Sequence, residues 1–250
     1  MPSEGPFTAI FVPDAIREAT SDRAWLRAML DFEAALAAAE ARAELVPPEA
    51  AEAIAAACRA ADLDPEEIGR EARPAGIPVR ALLRALTDAL PEDAARHVHR
   101  GATSQDVLDT AAMLVARRTL ELVDADLAAT AAVCARLAEE HRGTRMVGRT
   151  LLQQALPITF GLKAAGWLVG VGEARERLAA IALPVEFGGA AGTLASLGGD
   201  GVRVLGLLAE ELELAEPVLP WHTTRAPVAQ LGPRWRWRRA RWRRSRSTSC

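Results

Sequence analysis

Apolar positions along most of this chain recur at three- and four-residue steps, the period of a helix that turns one face to a core. In the first such stretch they fall at Trp25, Leu26, Met29, Leu30 and Leu36. Ser21 or Asp22 can cap that helix by accepting a free backbone N–H. Pro47-Pro48 ends it near Val46, because a proline ring cannot continue a helix and restricts the residue before it. Further helices are predicted from Pro48 to Ala61, from Pro65 with Glu66 and Glu67 in its first turn, and as a pair over 78–98 divided near Pro91. After Gly101 there is no Gly or Pro until Gly143. One helix from Ser104 to Glu140 follows, about 55 Å long at 1.5 Å per residue. Such a helix belongs to an elongated bundle or an oligomer core. Another helix is predicted from Leu152 to Ala182, kinked at Pro157, then a Gly-rich loop at 187–199 and a helix over about 200–214. No alternating strand pattern of useful length is present. The fold class is therefore all-α, with an N-terminal helical domain over 1–100 and part of a central helical bundle over 101–232.

Composition changes this picture at one end. Half of the 250 residues are apolar, enough to bury a core and too many for global disorder. The net charge of −3 is the sum of two unlike parts. Residues 1–220 hold all 33 acidic side chains and 21 of the 30 basic ones, a balance of −12. The last 30 residues hold nine Arg and no acid, with Trp235, Trp237 and Trp242 among them. Residues 233–250 thus read as a separate basic tail. The N-terminus lacks a basic region followed by an apolar stretch, which predicts no signal peptide. The uncharged runs 150–162 and 187–199 are too short to span a bilayer. Cys58, Cys134 and Cys250, with no CxxC and no nearby His, predict neither a disulfide framework nor a zinc site. A cytoplasmic protein without cofactor or metal is expected.

Three stretches carry candidate chemistry. Thr103-Ser104-Gln105-Asp106 opens the long helix, where hydroxyls cap free N–H groups and the helix dipole favours an anion. An ordinary N-cap gives the same pattern, but His97 and His99 lie just upstream and Gly101 lets the backbone approach a ligand. In VGRTLLQQALPITFGLKAAGW (147–167), Thr150, Gln153 and Gln154 share one face at helical spacing beside Arg149. A polar contact between helices would explain them equally well. FGGAAG, within 187–199, looks like a nucleotide loop, yet no strand precedes it and no Walker lysine follows.

HRGATSQDVLDTA, GRTLLQQALPITFGLKAAGW, FGGAAGTLASLG and LPWHTTR stand in this order. Together they closely resemble the bacterial 3-carboxy-cis,cis-muconate cycloisomerases of the fumarase/aspartase/adenylosuccinate lyase superfamily, over about residues 8–232. Many relatives carry GRTH in the second motif, with an acid/base His; Leu151 stands there in this chain. That departure argues against adenylosuccinate or argininosuccinate lyase, since the cycloisomerase branch also lacks the His. The resemblance implies a homotetramer built on a shared bundle, with each active site assembled from several subunits. It implies intramolecular lactonisation of 3-carboxy-cis,cis-muconate to 4-carboxymuconolactone, in the protocatechuate/β-ketoadipate branch of aromatic catabolism. A small tricarboxylate substrate needs cations and helix N-termini, which His99, Arg149 and the Ser104 helix end could supply. Thr103, Ser104, Gln105, Thr150 and Gln153 would orient it by hydrogen bonds. His222 and Arg225 lie in the motif that resembles the family's PWHTQRD, from which Thr224 and Ala226 depart. The alternatives are another member of the superfamily, or a non-catalytic helical protein with a basic binding tail.

The family's Ser-rich loop ending in Met-Pro-x-Lys-x-Asn-Pro supplies the serine held to be the general base. No such segment occurs in this sequence, so the catalytic base is unassigned and the 250-residue chain is expected to show little or no activity. Arg with interleaved Trp is also the composition of a nucleic-acid- or membrane-binding arm, but a codon argument opposes that role. Tryptophan has only the codon TGG. In GC-rich coding, a one-nucleotide shift turns Arg-Trp-Arg into Ala-Leu-Ala. The stretch 233–250 then reads AALALAAGALAAIAVDVV, an amphipathic helix. A frameshift near Gly232 is expected, and nucleic-acid or membrane binding by the tail is not.

Overall fold

The computed structural model describes residues 6–232; the basic tail at 233–250 lies outside them. The helices α1 (Pro6–Phe11), α2 (Asp14–Ala19) and α3 (Asp22–Arg42) open the chain. They are followed by α4 (Pro48–Ala60), α5 (Pro65–Ala72), α6 (Val79–Asp88), α7 (Glu92–Ala95) and the long α8 (Ser104–Glu140). A hairpin of β1 (Arg145–Thr150) and β2 (Gln153–Thr159) then leads into α9 (Phe160–Ala179). A short 3-10 segment, Ala195–Asp200, precedes α10 (Gly201–Leu212). The all-α fold class holds, with two short strands as its exception among the described residues.

The chain divides into two units. The first comprises Met1–Thr119 and Ala182–Pro227. In it α3 packs against α4 and α10, and Phe32, Leu36, Ile54, Leu82, Leu114 and Leu208 are fully buried. Ser21 caps α3, accepting from the Ala24 N–H at 3.2 Å. The helix ends at Arg42, earlier than the prolines require, because Glu44 turns left-handed at φ 63°. The Leu45 N–H then returns to the Glu40 carbonyl at 2.9 Å, the closure of a Schellman motif. The C-terminus of α10 is capped from outside. The Arg117 guanidinium donates to the Leu212 and Glu213 carbonyls at 2.6 and 3.1 Å, placing a cation at the negative end of the helix.

The second unit comprises Leu120–Ile181 with the residues from Val228 on. Here the helix expected from Leu152 to Ala182 is not formed: 153–159 is a strand and α9 begins only at Phe160. The reason is a two-residue turn. Leu151 and Leu152 both take left-handed backbone angles, φ 47° and 63°, as in a tight hairpin turn, and Thr150 pairs with Gln153. Pro157 occupies a strand position opposite Val147. Gly148 is needed beside it, since a Cβ there would stand 2.5 Å from the Leu156 carbonyl oxygen. Thr159 caps α9 by accepting from the Leu162 N–H at 3.1 Å. Gly161 lets α9 lie against the end of α8, where a Cβ would meet the Ala138 carbonyl at 2.6 Å.

Candidate active site

Thr103 immediately precedes α8, and Asp106 sits one turn inside it. The Asp106 carboxylate reaches back to accept the Thr103 N–H at 2.8 Å, the reciprocal half of a capping box. It also accepts the Gly188 and Gly189 N–H groups, each at 3.0 Å, and meets His222 Nε2 at 2.6 Å. The Gly-rich stretch therefore does cradle an anion, but that anion is the protein's own carboxylate. Gly189 at φ 68° comes so close to Gly101 that a Cβ would lie 2.8 Å from the Gly101 carbonyl oxygen.

Around this node a buried polar network ties three segments together. Thr110 of α8 accepts the Glu186 N–H at 2.8 Å and donates to the Glu186 carbonyl at 3.0 Å. The Glu186 carboxylate accepts the Trp221 N–H at 2.7 Å and has its other oxygen 3.4 Å from His222 Nε2. Burial pushes the Glu186 carboxyl up to about 7, against the opposing pull of the Trp221 N–H and His222. Asp106, Glu186 and His222 offer atoms within 4.8 Å of one another, the residue types that hold metal ions. Of the three, only Asp106 and His222 are hydrogen-bonded to each other; the Glu186 Oε1 has no hydrogen-bond partner among the described residues, and Asp106 already receives three backbone N–H groups besides His222. One turn further along α8, Asp109 grips Arg225 through both oxygens at 2.5 and 2.7 Å. The same guanidinium lies 5.4 Å from the Trp221 ring centroid, a cation–π contact.

His99 stands just before this node on a strained turn, with φ 59° at His99 and 73° at Gly101. Its Nδ1 lies 2.7 Å from Glu33 of α3. Burial alone would lower the imidazole pKa. The hydrogen bond and charge of Glu33, aided by the Asp106 charge, outweigh it and hold His99 above the ordinary histidine value. Glu40, on the same face of α3, is fully buried with neither carboxyl oxygen hydrogen-bonded among the described residues. Burial pushes it up to about 8 despite the Arg100 charge, and Glu33 adds to the rise.

The first unit thus gathers His99, Thr103, Ser104, Gln105, His222 and Arg225 around the mouth of α8. Among the described residues no hydrogen bond engages the Thr103 or Ser104 hydroxyl, and Gln105 is exposed. His222 and Arg225 are held by Asp106 and Asp109, contacts that fasten the 221–225 segment to α8. Arg149, Thr150 and Gln153 belong to the second unit, on the exposed hairpin rather than on a helix face. Sequence reasoning missed Glu33, Asp109 and Glu186. Glu33 did leave a signal, as an acid three and four residues from Leu30 and Met29 in the apolar stripe of α3. A cavity of about 380 Å³ opens beside Arg23, Arg27 and Arg118, but their charges are answered by Asp62 and Asp31.

Residues 11–230 match a family described as lyase. The chain is 50% identical to a nitrosuccinate lyase from Streptomyces davaonensis over 230 residues, which cover 87% of this chain and 48% of that protein. It is 46% identical to a 3-carboxy-cis,cis-muconate cycloisomerase from Pseudomonas aeruginosa, over 90% of this chain and 50% of the relative. The crystal structure of the 3-carboxy-cis,cis-muconate lactonizing enzyme from Pseudomonas putida superposes with a TM-score of 0.87 at 43% identity, over 92% of this chain and 53% of that one. The chain spans about half the length of the curated relatives it matches.

Proposed function

The chain belongs to the lyase family, within the fumarate lyase superfamily, and from that premise we propose that it is part of a 3-carboxy-cis,cis-muconate cycloisomerase acting in the cytoplasm on the protocatechuate branch of aromatic catabolism. In that reaction a carboxylate oxygen of the substrate bonds to a carbon of its own double bond. The displaced π electrons take up a proton at the neighbouring carbon, giving 4-carboxymuconolactone. No group is oxidised or reduced.

The observation that carries this reading is the mouth of α8. A histidine held above its ordinary pKa, two uncommitted hydroxyls and a helix N-terminus converge there, and each favours a carboxylate. Raising the pKa of His99 keeps more of it cationic near neutral pH, so that it can pair with a substrate carboxylate. Thr103 and Ser104 would orient a second carboxylate by hydrogen bonding. Geometry of this kind serves catalysis by fixing the attacking oxygen against the double bond.

Arg149, Thr150 and Gln153 enter the proposal as residues that complete the site in an assembly of several copies, a homotetramer. The exposure of Leu151, Leu152 and Leu156 on the same hairpin supports it, because apolar side chains grouped on one exposed element mark an interface.

A second reading, action on nitrosuccinate, rests on the 50% identity to the Streptomyces enzyme. Calorimetric titration of the chain with 3-carboxy-cis,cis-muconate and with nitrosuccinate separates the two. Saturable binding that is tighter for the muconate supports the proposal; preference for nitrosuccinate replaces it with the second reading.

A further inference from the structure

Glu33 is an acid in the middle of a helix whose neighbouring side chains are core. Its side chain is fully buried, between Met29 and Leu36 of the same buried face. One carboxyl oxygen meets His99 Nδ1 at 2.7 Å, and the other has no hydrogen-bond partner among the described residues. Burying an ionised carboxylate costs several kcal/mol unless a partner compensates it, and His99 is the hydrogen-bond partner this one has. The histidine is constrained too, by the left-handed backbone at 99 and 101. A residue held in that region persists only where its surroundings over-determine it, and such strain gathers at functional sites.

We infer that Glu33 is a positioning residue for His99, holding the Nδ1–H so that in the charged ring the Nε2–H is the free donor to a carboxylate received at the mouth of α8. The inference rests on the proposed function for the identity of that carboxylate, but the lock itself does not. An imidazole whose Nδ1–H is donated to a carboxylate has its tautomer and plane fixed by that bond. The unused ring nitrogen then points away from the buried acid, and the ring keeps a partly exposed edge, with 19% of the side chain open. Four charged or titratable groups act around it. Glu33 and Asp106 favour the cation. Glu40 stays protonated through neutrality and so adds no second buried charge beside Glu33. Arg100, whose guanidinium is tied to the Leu45 carbonyl at 2.6 Å, acts on Glu40, whose carboxyl its charge pulls down.

The test is nitrogen-15 NMR of the imidazole rings in the full chain, with the His99 signals assigned by their loss in H99Q. In the wild-type protein the neutral ring of His99 is expected to carry its proton on Nδ1. Glu33→Gln retains an acceptor but removes the charge, so the tautomer persists while the His99 pKa falls by about one pH unit. Glu33→Leu removes both and frees the tautomer as well. A purely structural Glu33 predicts the same titration and tautomer in all three proteins. If a variant fails to fold, the wild-type spectrum decides alone, and a neutral ring protonated on Nε2 overturns the inference. Titration with 3-carboxy-cis,cis-muconate, read on the same signals, separates the two claims. A locked ring that ignores the ligand keeps the Glu33–His99 relationship and refutes the substrate reading.

Discussion

Asp106 and His222 are 116 residues apart in sequence and meet at 2.6 Å. The contact fastens the 221–225 segment to the first turn of α8, and the same carboxylate collects the Thr103, Gly188 and Gly189 N–H groups. One side chain thereby holds together three segments that were recognisable separately as motifs.

Asp106→Asn should therefore be costly. The amide that replaces the carboxylate cannot accept on both sides and would set an NH2 group against backbone donors. A buried, multiply hydrogen-bonded charge lost in this way costs about 3 kcal/mol. Urea unfolding measures it, and a loss below about 1 kcal/mol would show that the node is not built as described. Asp109→Asn should cost less, because the Arg225 side chain it grips is 44% exposed and solvent screens the pair.

Glu40 makes stability depend on pH. Its carboxyl is raised to about 8 in the folded chain, whereas an unfolded glutamate titrates near the ordinary value of 4.5. Between those values the folded state binds the extra proton, so stability falls as pH rises, by about 1.4 kcal/mol per pH unit at most. It is fully present below 4.5 and gone above about 8. Glu40→Gln mimics the neutral acid at every pH. The wild-type protein should lose stability relative to this variant across pH 4.5–8 in chemical unfolding; parallel curves would contradict the assignment.

How much of this was legible from sequence follows from the range of each interaction. The Ser21 cap, the Pro48 and Pro65 helix starts and the 104–140 helix were all readable, because caps, prolines and periodicity act within a few residues. The hairpin was not. Thr150, Gln153 and Gln154 fit helical spacing, and Leu151-Leu152 carries no turn chemistry. Only the pairing of 145–150 with 153–159 imposes left-handed angles on two leucines. The site divided in the same way. His99, Thr103 and Ser104 could be read from their place before a helix. Glu33 and Glu186 act across 66 and 35 residues or more, so their partners lie beyond the reach of local spacing.

The turn itself can be tested. Left-handed backbone costs a leucine of order 1–3 kcal/mol, and Asn-Gly is the pair this turn geometry prefers. The double substitution L151N and L152G should raise the melting temperature and slow amide hydrogen exchange in β1 and β2. An unchanged or faster exchange would show that the leucines are not held in that conformation.

Gly101→Ala probes the strained approach to the site. The added Cβ would stand 2.8 Å from Leu197 Cγ at a φ of +73°, which costs about 2 kcal/mol. It should also weaken ligand binding by moving His99. Unaltered stability, read from urea unfolding, would mean that the turn relaxes freely.

The central claim is that the mouth of α8 receives a polycarboxylate. Chemical-shift mapping with 3-carboxy-cis,cis-muconate tests it most directly. Saturable shifts confined to His99, Thr103, Ser104, Gln105 and their neighbours are predicted. Shifts at the cavity beside Arg23, Arg27 and Arg118 instead, or no shifts at all, would contradict it.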